Sequence, residues 1–333
     1  PQPDGYSFSA CLVNGRPGTH TYIREMNRRI FSPYNVLTVG EVAAPDTQEL
    51  ARYVATEREE FDMAIPFVAP VVEINTWSPK KLREDIAADY AALKENGWGE
   101  RFFSNHDKPR QVSLYGDDKE YWEVSAKMLA MLLHSLPGTP FVYQGEEIGM
   151  TNMRFPTIEQ YNDPDAKNTY HQQLLAGATP EQALAEAQMV SRDNARTPFQ
   201  WDATANAGFT TGTPWLKVNP NYTDINAAEQ ANRPDSMYHW YKELIALRKN
   251  PEYKDVVVYG EFVPYKEEQT NLMAYYRKGT DRTLLVVANY QHDAQDVVLP
   301  GTYKKVLMNN LDTLDLNGDI LHMPGYQAVI FEM

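Results

Sequence analysis

The sequence contains a single cysteine, Cys11, in 333 residues, which excludes an internal disulfide framework. A lone thiol is typical of proteins kept in a reducing compartment, and we therefore predict a cytoplasmic protein. The chain also lacks an apolar run long enough to cross a bilayer, and no signal-peptide pattern opens it. No membrane partner is predicted.

Basic residues are in the minority, since 31 Lys and Arg stand against 45 Asp and Glu, for a formal net charge of -14. Charge of this sign repels nucleic acid and anionic membranes. We therefore expect no nucleic-acid partner and favour a neutral small molecule.

Several signatures of other chemistries are missing. The chain has no G-x-S-x-G, no glycine-rich phosphate loop and no G-x-G-x-x-G, so acyl transfer, phosphoryl transfer and dinucleotide chemistry lack their usual motifs. The seven histidines are scattered, and no His-x3-His or cysteine pair occurs. Residues 315–319 resemble a calcium loop, but its first position would be Thr313, a poor ligand. No metal and no cofactor is predicted.

What the first 150 residues do contain is an alternation of strand and helix patterns. Apolar or β-branched runs at 36–42, 62–72, 101–104 and 139–144 predict strands, with Pro66 and Pro70 shortening the second. Residues 36–42 form a continuous β-branched and apolar run that ends on the carboxylate Glu41 and on Val42, as expected of a strand covered on both faces. Helical spacing predicts helices at 19–30, 45–58, 78–97 and 120–136. This order predicts a parallel α/β sheet or barrel.

The remaining chain divides into an insertion, a helix and an all-β region. Residues 151–234 form the insertion, which contains a helix capped by Thr179 with Gln182 in the capping-box position. Residues 235–249 form the last amphipathic helix. Alternating patterns then predict strands, at 256–259, 273–277, 283–289, 295–298, 303–307 and 326–331. We expect a separate all-β domain at 251–333, with a hairpin turn at Asn317-Gly318.

Two of the predicted strands end in acidic side chains. Glu41 closes the first strand, and His106, Asp107 and Arg110 follow the third. Parallel barrels build active sites from strand ends of this kind, and cleavage of glycosidic bonds uses paired carboxylates. A partly buried Glu41 could hold a proton near neutrality, as a general acid requires. A salt bridge for Glu41, and loop-bonding roles for His106 and Asp107, are the alternatives.

Two further segments combine polar and aromatic groups. The tract from Arg192 to Trp201 offers hydrogen-bonding and stacking groups for a polar ligand, or equally an ion-pair network that holds a loop down. Glu146 and Glu147 are adjacent on a loop, where neighbouring side chains diverge. We expect one of them to face a cleft and the other to support structure.

Three segments carry a resemblance to the α-amylase superfamily (glycoside hydrolase family 13), within it to the oligo-1,6-glucosidase and α-glucosidase group. They are Thr-Val-Gly-Glu at 38–41, Phe-Ser-Asn-His-Asp-Lys-Pro-Arg at 103–110, and Gly-Thr-Pro-Phe-Val-Tyr-Gln-Gly-Glu-Glu-Ile-Gly-Met at 138–150. The tract from Arg192 to Trp201 is similar to the one that edges the substrate pocket in this group.

The resemblance implies a retaining, exo-acting α-glucosidase that acts on short oligosaccharides or disaccharides. It implies Glu41 as general acid/base, Asp107 as the acid that binds sugar hydroxyls, and His106 as a sugar hydrogen-bonding group. Arg196 would line the acceptor side and Arg110 would contact substrate.

Two alternatives stay within the same fold. One is a sucrose isomerase or transglucosidase, a group with an Arg-Leu-Asp-Arg/Lys loop after strand 6 that residues 66–74 do not match. The other is a non-catalytic relative, a class that loses its acids and gains a membrane span.

The resemblance also shows what this sequence lacks. The family's nucleophile is an aspartate in a Gly-Phe-Arg-x-Asp motif on strand 4, which does not occur here. The four strand–helix units match strands 5–8, and the chain opens on Pro1. Half a barrel leaves two open sheet edges. We therefore expect the C-terminal half of a TIM (β/α)8 barrel at 1–250, with its insertion at 151–234, followed by an antiparallel β-sandwich at 251–333. Another chain, or a segment outside this sequence, would supply the N-terminal half and the nucleophile.

Overall fold

A computed structural model describes residues 16–42, 44, 46–66, 78–266 and 268–333. The part of the predicted second strand that follows Pro66 lies outside these residues. The chain forms two units: the first runs to Arg101 and takes in Pro137–Thr139, and the second comprises Phe102–Leu136 and Pro140–Met333.

The first unit alternates helices and strands in the predicted order. Its elements are α1 (Pro17–Met26, continued by a π-helical turn at Asn27–Phe31 and by Ser32–Tyr34), β1 (Val39–Val42), α2 (Thr47–Val54), β2 (Met63–Pro66), α3 (Pro79–Leu93) and β3 (Glu100–Arg101). Strands β1 and β2 pair in parallel, with Val39 opposite Met63 and Val42 opposite Pro66. The parallel strand–helix arrangement predicted from the sequence is therefore confirmed for this pair.

The helices of this unit begin where the sequence places capping residues. The Asp46 carboxylate accepts a hydrogen bond from the Glu49 amide at 2.8 Å, and α2 starts at the next residue. The Ser78 hydroxyl likewise accepts from the Lys81 amide at 3.1 Å, with proline at the first position of α3. Such caps satisfy amides that have no partner within the helix.

Strand β1 differs from the prediction in its burial. Gly40 and Val42 are buried, whereas Val39 and Glu41 on the opposite face are exposed. The expectation of a strand covered on both faces is therefore wrong within the described unit. The physical reason is that only β2 pairs with β1 among the described residues, and one face of the strand packs against the unit's core.

Helix α1 shows the same one-sided packing. Of its apolar residues Ile23 is buried, while Tyr22, Met26 and Ile30 are exposed. His20 anchors the helix from its buried side: its Nε2 lies 2.8 Å from Oε1 of Glu49, and its Nδ1 lies 2.6 Å from Oε2 of Glu60. Both carboxylates belong to the segment around α2, so the imidazole ties α1 to it.

The second unit holds the remaining helices and two antiparallel sheets. Its helices are α4 (Gln111–Tyr115), α5 (Trp122–Ser135), α6 (Pro164–Leu175), α7 (Pro180–Val190), α8 (Asp193–Arg196), α9 (Ala227–Asn232) and α10 (Met237–Lys249). The predicted capping box at Thr179 and Gln182 is present at the start of α7. The fourth predicted strand is short: β4 spans Thr139–Pro140, where the Thr139 amide donates to the Gly99 carbonyl at 2.9 Å.

The C-terminal strands form two sheets. They are β5 (Glu261–Pro264), β6 (Leu272–Lys278), β7 (Thr283–Asn289), β8 (Gln295–Val298), β9 (Lys305–Asn309), β10 (Asp315–Asn317), β11 (Ile320–Met323) and β12 (Ala328–Glu332). Five strands pair in the order β5-β6-β7-β12-β9 and three in the order β10-β11-β8, and neighbouring strands in both sheets are antiparallel.

These two sheets share one apolar core. Val287 and Phe331 of the larger sheet cluster with Val297, Leu321 and Met323 of the smaller one, and all five side chains are buried. The hairpin β10–β11 turns at Gly318, whose φ of 65° suits a residue without a Cβ.

One of the predicted strands is a helical turn in the structure. Residues 256–259 are β-branched and aromatic, but they lie in a π-helical turn, Asp255–Tyr259, directly after α10. Packing of Val256 and Val257 into the core overrides their strand propensity.

Candidate active site

The loop that carries Asp107 follows β3 and begins in the core. Phe102 and Phe103 are buried, and Ser104 after them is buried too. The Asn105 side-chain oxygen accepts a hydrogen bond from the Asp107 amide at 2.8 Å. Such a side-chain-to-backbone bond closes a tight turn. The turn fixes the main chain from which the His106 and Asp107 side chains project.

Asp107, His106 and Arg196 are brought together, although about ninety residues separate the loop from α8. The Arg196 guanidinium donates to Oδ1 of Asp107 through Nη2 and to the His106 carbonyl through Nε, the latter at 3.0 Å. His106 Nε2 lies 3.5 Å from Oδ2 of Asp107. The Asp107 side chain is 32% exposed and that of His106 is 62% exposed, so both can reach a ligand in solvent.

Arg110 has a different place from the one predicted. Its side chain is buried, and its Nε and Nη2 donate to the carbonyls of Asn194 and Ala195, each at 3.1 Å. Its Nη1 donates to the Gln144 carbonyl. Burial lowers the pKa of this guanidinium, and nearby acidic groups oppose that shift. This corrects the predicted substrate contact, because a guanidinium that donates its hydrogen bonds to main-chain carbonyls serves to join separate segments of the chain.

The sequence allowed two interpretations of the tract from Arg192 to Trp201, ligand-binding groups or an ion-pair network. Different parts of the tract fit each of them. Arg192 donates to Oδ1 of Asp163 through Nε at 2.9 Å and through Nη2 at 2.7 Å. The Asp193 carboxylate accepts from the amides of Asn162 and Asp163. These residues hold the loop down, as the ion-pair alternative supposed.

The end of the same tract is more open. Gln200 is buried and donates to the Ile225 carbonyl, whereas Trp201 is 54% exposed and lies against the ring of Phe199. Of the whole tract, Arg196 and Trp201 therefore remain able to meet a ligand.

Glu146 and Glu147 lie in a 3-10 turn, Glu146–Ile148, after β4. Oε1 of Glu146 accepts a hydrogen bond from the Ser104 hydroxyl at 2.5 Å. Burial raises the pKa of Glu146 to about 8. Oε2 of Glu147 accepts from the Gly145 amide at 2.7 Å, and burial raises its pKa also. Sequence reasoning left the roles of this pair undecided, because periodicity gives no signal inside a loop.

Glu41 is the third residue of β1 in the first unit, and its side chain is exposed. The expected partial burial is therefore wrong among the described residues, because β1 buries its other face, with Gly40 and Val42, and leaves Glu41 outside. The alternative of a salt bridge is not seen either, since none of the described ion pairs includes Glu41. Glu41 belongs to one unit, and His106, Asp107, Arg110 and Arg196 belong to the other.

Neither a metal site nor a membrane-crossing helix occurs in the part of the chain that the structure describes. No three His, Cys, Asp or Glu side chains converge there as a metal site would require. Among the same residues, no helix has the length and apolar character needed to cross a bilayer.

Parallel strand–helix units, a polar cluster after β3 and C-terminal antiparallel sheets define the class: a TIM-barrel fold with a C-terminal sheet domain. The family model "Alpha amylase, catalytic domain" matches residues 3–260, and the model "Alpha-amylase SusG C-terminal domain" matches residues 272–330. The chain belongs to the α-amylase family, glycoside hydrolase family 13.

Its relatives span much of the chain but have longer sequences. An oligo-1,6-glucosidase of Bacillus cereus is 39% identical over all of the chain and 61% of the relative, and one of Halalkalibacterium halodurans is 41% identical over 94% and 57%. The crystal structure of isomaltulose synthase from Klebsiella sp. LX3 matches with a TM-score of 0.88 and 33% identity, over 95% of this chain and 59% of that one. The chain thus spans about three fifths of the length of these relatives.

Proposed function

We propose that this chain is part of a retaining, exo-acting α-glucosidase of the oligo-1,6-glucosidase type, which hydrolyses terminal α-glucosidic bonds of short oligosaccharides. The observation that carries the proposal is the one-third-exposed Asp107 carboxylate with His106 and Arg196 around it. A carboxylate, an imidazole and a guanidinium offer the acceptors and donors that sugar hydroxyls need. Identity of 39–41% to two oligo-1,6-glucosidases supports the same assignment.

The proposed reaction is a double displacement. An aspartate outside this chain attacks the anomeric carbon while Glu41 protonates the departing glycosidic oxygen, and Glu41 then takes a proton from the water that hydrolyses the glycosyl-enzyme. Asp107 and His106 bind hydroxyls of the terminal sugar, and Arg196 lines the acceptor side. Arg110 is assigned a positioning role through the loop carbonyls that it binds.

The chain is also proposed to form the second half of its barrel, strands 5–8. Supporting this, β1 pairs only with β2 among the described residues, and exposed apolar side chains lie on and before it, including Leu37 and Val39. An open apolar edge needs a partner strand in water. That partner would be the N-terminal half of the barrel, as a separate chain or as a segment outside this sequence.

The proposed domain limits follow from the same division. Residues 1–250 would be the barrel half, with the insertion at 151–234, and residues 251–333 the C-terminal domain. The change from helices to antiparallel strands after α10 supports this boundary. A cytoplasmic location remains a prediction from the single cysteine.

The test compares the 333-residue chain alone with the same chain complemented by strands 1–4. We expect nitrophenyl α-glucoside to be hydrolysed only by the complemented protein, with retention at the anomeric carbon. Glu41→Gln should lower that hydrolysis at least about a hundredfold, since general acid catalysis contributes 10²–10⁴-fold. Normal hydrolysis by the complemented Glu41→Gln variant would refute the assignment of Glu41.

A sucrose isomerase is the second candidate, favoured by the likeness to isomaltulose synthase. Residues 66–74 do not match the loop expected of that group, and we rank it lower. Sucrose given to the complemented protein decides between them: glucose and fructose support hydrolysis, whereas a rearranged disaccharide supports isomerisation. A complemented protein inert toward every α-glucoside would favour a non-catalytic relative.

A further inference from the structure

Glu146 is a buried carboxyl group that the proposed reaction leaves without a role. Only 2% of the residue is exposed. Its Oε1 accepts the Ser104 hydroxyl at 2.5 Å, and its Oε2, also buried, finds no hydrogen-bond partner among the described residues. Burying a carboxyl group with one oxygen unpaired is costly, and such groups in native structures call for a reason.

Ser104 links this carboxyl group to the sugar-binding loop. The serine is buried and lies directly before Asn105, whose side chain accepts the Asp107 amide. A path of two hydrogen bonds and one peptide link therefore runs from Glu146 to the main chain of Asp107. Ser104 and Glu146 are 42 residues apart, so the bond joins separate segments of the chain.

We infer that Glu146 is a positioning residue for Asp107: its buried carboxyl group accepts the Ser104 hydroxyl and so fixes the loop from which Asp107 projects. The importance of Asp107 for sugar binding is taken from the proposed function. Glu146 itself touches no reacting atom in this assignment.

The turn that carries Glu146 is held on both sides. Gly145 has φ 95° and Gly149 has φ 71°, in the region that favours glycine. A Cβ on Gly145 would lie 2.6 Å from Sδ of Met150, and one on Gly149 would lie 2.7 Å from the Trp122 ring. Because little space surrounds the turn, a displacement of the Glu146 carboxyl group would move Ser104 and could not be accommodated within the turn alone.

The charge of Glu146 can change within an accessible pH range. Burial raises its pKa to about 8, the Glu147 charge adds to the rise, and Ser104 and Arg110 oppose it. From α10, the buried Tyr241 also faces these carboxyl groups, and burial, with their charges adding to it, raises its own pKa. Glu146 is therefore mostly protonated at pH 7. Above about pH 8 the carboxylate would accept the Ser104 hydroxyl more strongly, but its Oε2 would be a buried charge without a donor among the described residues. The turn would have to shift to hydrate this charge and would move Ser104 with it.

The experiment measures D-glucose as a competitive inhibitor of the complemented enzyme between about pH 6 and pH 9. In the unsubstituted protein we expect the inhibition constant to be flat to about pH 7.5 and then to rise roughly three- to tenfold. Glu146→Gln, neutral and of the same shape, should keep the low-pH value at every pH. Ser104→Ala should bind glucose more weakly at neutral pH and lose the pH dependence. Glu243→Gln, which removes an exposed carboxylate on α10, is the matched control and should keep the unsubstituted profile.

A second readout needs no sugar and uses the 333-residue chain itself. The amide resonance of Asp107, in protein labelled at aspartate, should shift with a midpoint near pH 8 and should cease to do so in Glu146→Gln. An insensitive Asp107 amide, or a Glu146→Gln variant that keeps the pH-dependent loss of glucose binding, overturns the inference. A purely structural role for Glu146 predicts lower stability with neither change.

The two readouts also separate this inference from the proposed function. If the Asp107 amide titrates but glucose does not bind, the proposed function fails and the positioning role stands. If glucose binds and the amide does not respond, the function stands and the positioning role fails.

Discussion

Nε of Arg110 donates a hydrogen bond to the carbonyl of Asn194 at 3.1 Å, across 84 residues of sequence. The same guanidinium reaches the carbonyls of Ala195 and Gln144. Three segments of the chain, one of them helix α8, therefore meet on one buried cation. Arg196, which follows Ala195, contacts Asp107, so this junction determines where the guanidinium and carboxylate of the candidate site lie.

Arg110→Lys should unfold more easily than the unsubstituted chain, by roughly 2–4 kcal/mol, because a lysine cannot reach three carbonyls in the fixed fork of a guanidinium. Urea denaturation of the 333-residue chain measures this loss. Arg29→Lys is the control, since Arg29 pairs with Glu25 at the surface, where both side chains are exposed. It should change stability by less than about 0.5 kcal/mol. Equal effects of the two variants would contradict the role given to Arg110.

His20→Ala should destabilise the first unit by about 3 kcal/mol, because the carboxylates of Glu49 and Glu60 lose a hydrogen-bond partner in a buried place. The variant removes the ring between Glu49 and Glu60, while Arg58 still contacts Glu60 at 2.6 Å. Hydrogen exchange of α1 amides locates the effect and urea denaturation measures it. His292→Ala, at an exposed site, is the control. Unchanged protection of α1 would count against the anchoring role of His20.

Glu100 should make stability depend on pH. Burial raises its pKa to about 7, the Arg101 charge opposes the rise, and the Asp89 charge adds to it. The folded state binds the Glu100 proton more tightly than the unfolded state does. The stabilisation of the folded state that results is complete below the unfolded pKa of about 4.5 and is lost as pH rises through 7. Its upper limit is roughly 3 kcal/mol. Urea midpoints at several pH values should show this fall in the unsubstituted chain. Glu100→Gln should flatten that part of the profile, and an unchanged slope would disprove the assignment.

Asp107→Asn should leave the fold intact and remove activity. The side chain is one-third exposed, so we expect a loss of stability below about 1 kcal/mol. The value of kcat/KM of the complemented enzyme should fall at least about a hundredfold, because contacts to sugar hydroxyls strengthen in the transition state. Hydrolysis of nitrophenyl α-glucoside measures the loss. Asp296→Asn, at an exposed ion pair with His322, should keep activity, and similar kinetics of both variants would argue against the sugar-binding role.

Local signals in the sequence were sufficient for many elements. Proline after serine or threonine at Ser78 and Thr179, and the aspartate at Asp46, fix helix starts, because the cap needs only the next few residues. Strand β7 and strand β8 occur with the predicted limits. Alternation of apolar and polar residues is a property of the strand itself and needs no knowledge of its neighbours.

Burial was harder to predict. The run at 36–42 is mostly β-branched or apolar, yet Leu37 and Val39 are exposed, because burial depends on which surfaces are present to cover a strand. Likewise Val256 and Val257 have strand propensity but lie in a π-helical turn fixed by core contacts. In both cases packing partners distant in sequence decide the outcome.

The sequence by itself determined the family and the candidate carboxylates, because the motifs around Glu41 and Asp107 are short and contiguous. Only the tertiary structure decided which charged groups stay available to a ligand. Arg110 and Arg196 both lie in polar stretches of the sequence. Arg110, however, donates its hydrogen bonds to buried main-chain carbonyls, whereas Arg196 donates to the Asp107 carboxylate. Glu146 was similarly ambiguous until its contact with Ser104 was placed. The physical reason is that burial and hydrogen bonds to the main chain depend on segments far apart in sequence, and these set whether a charge is structural or free to bind.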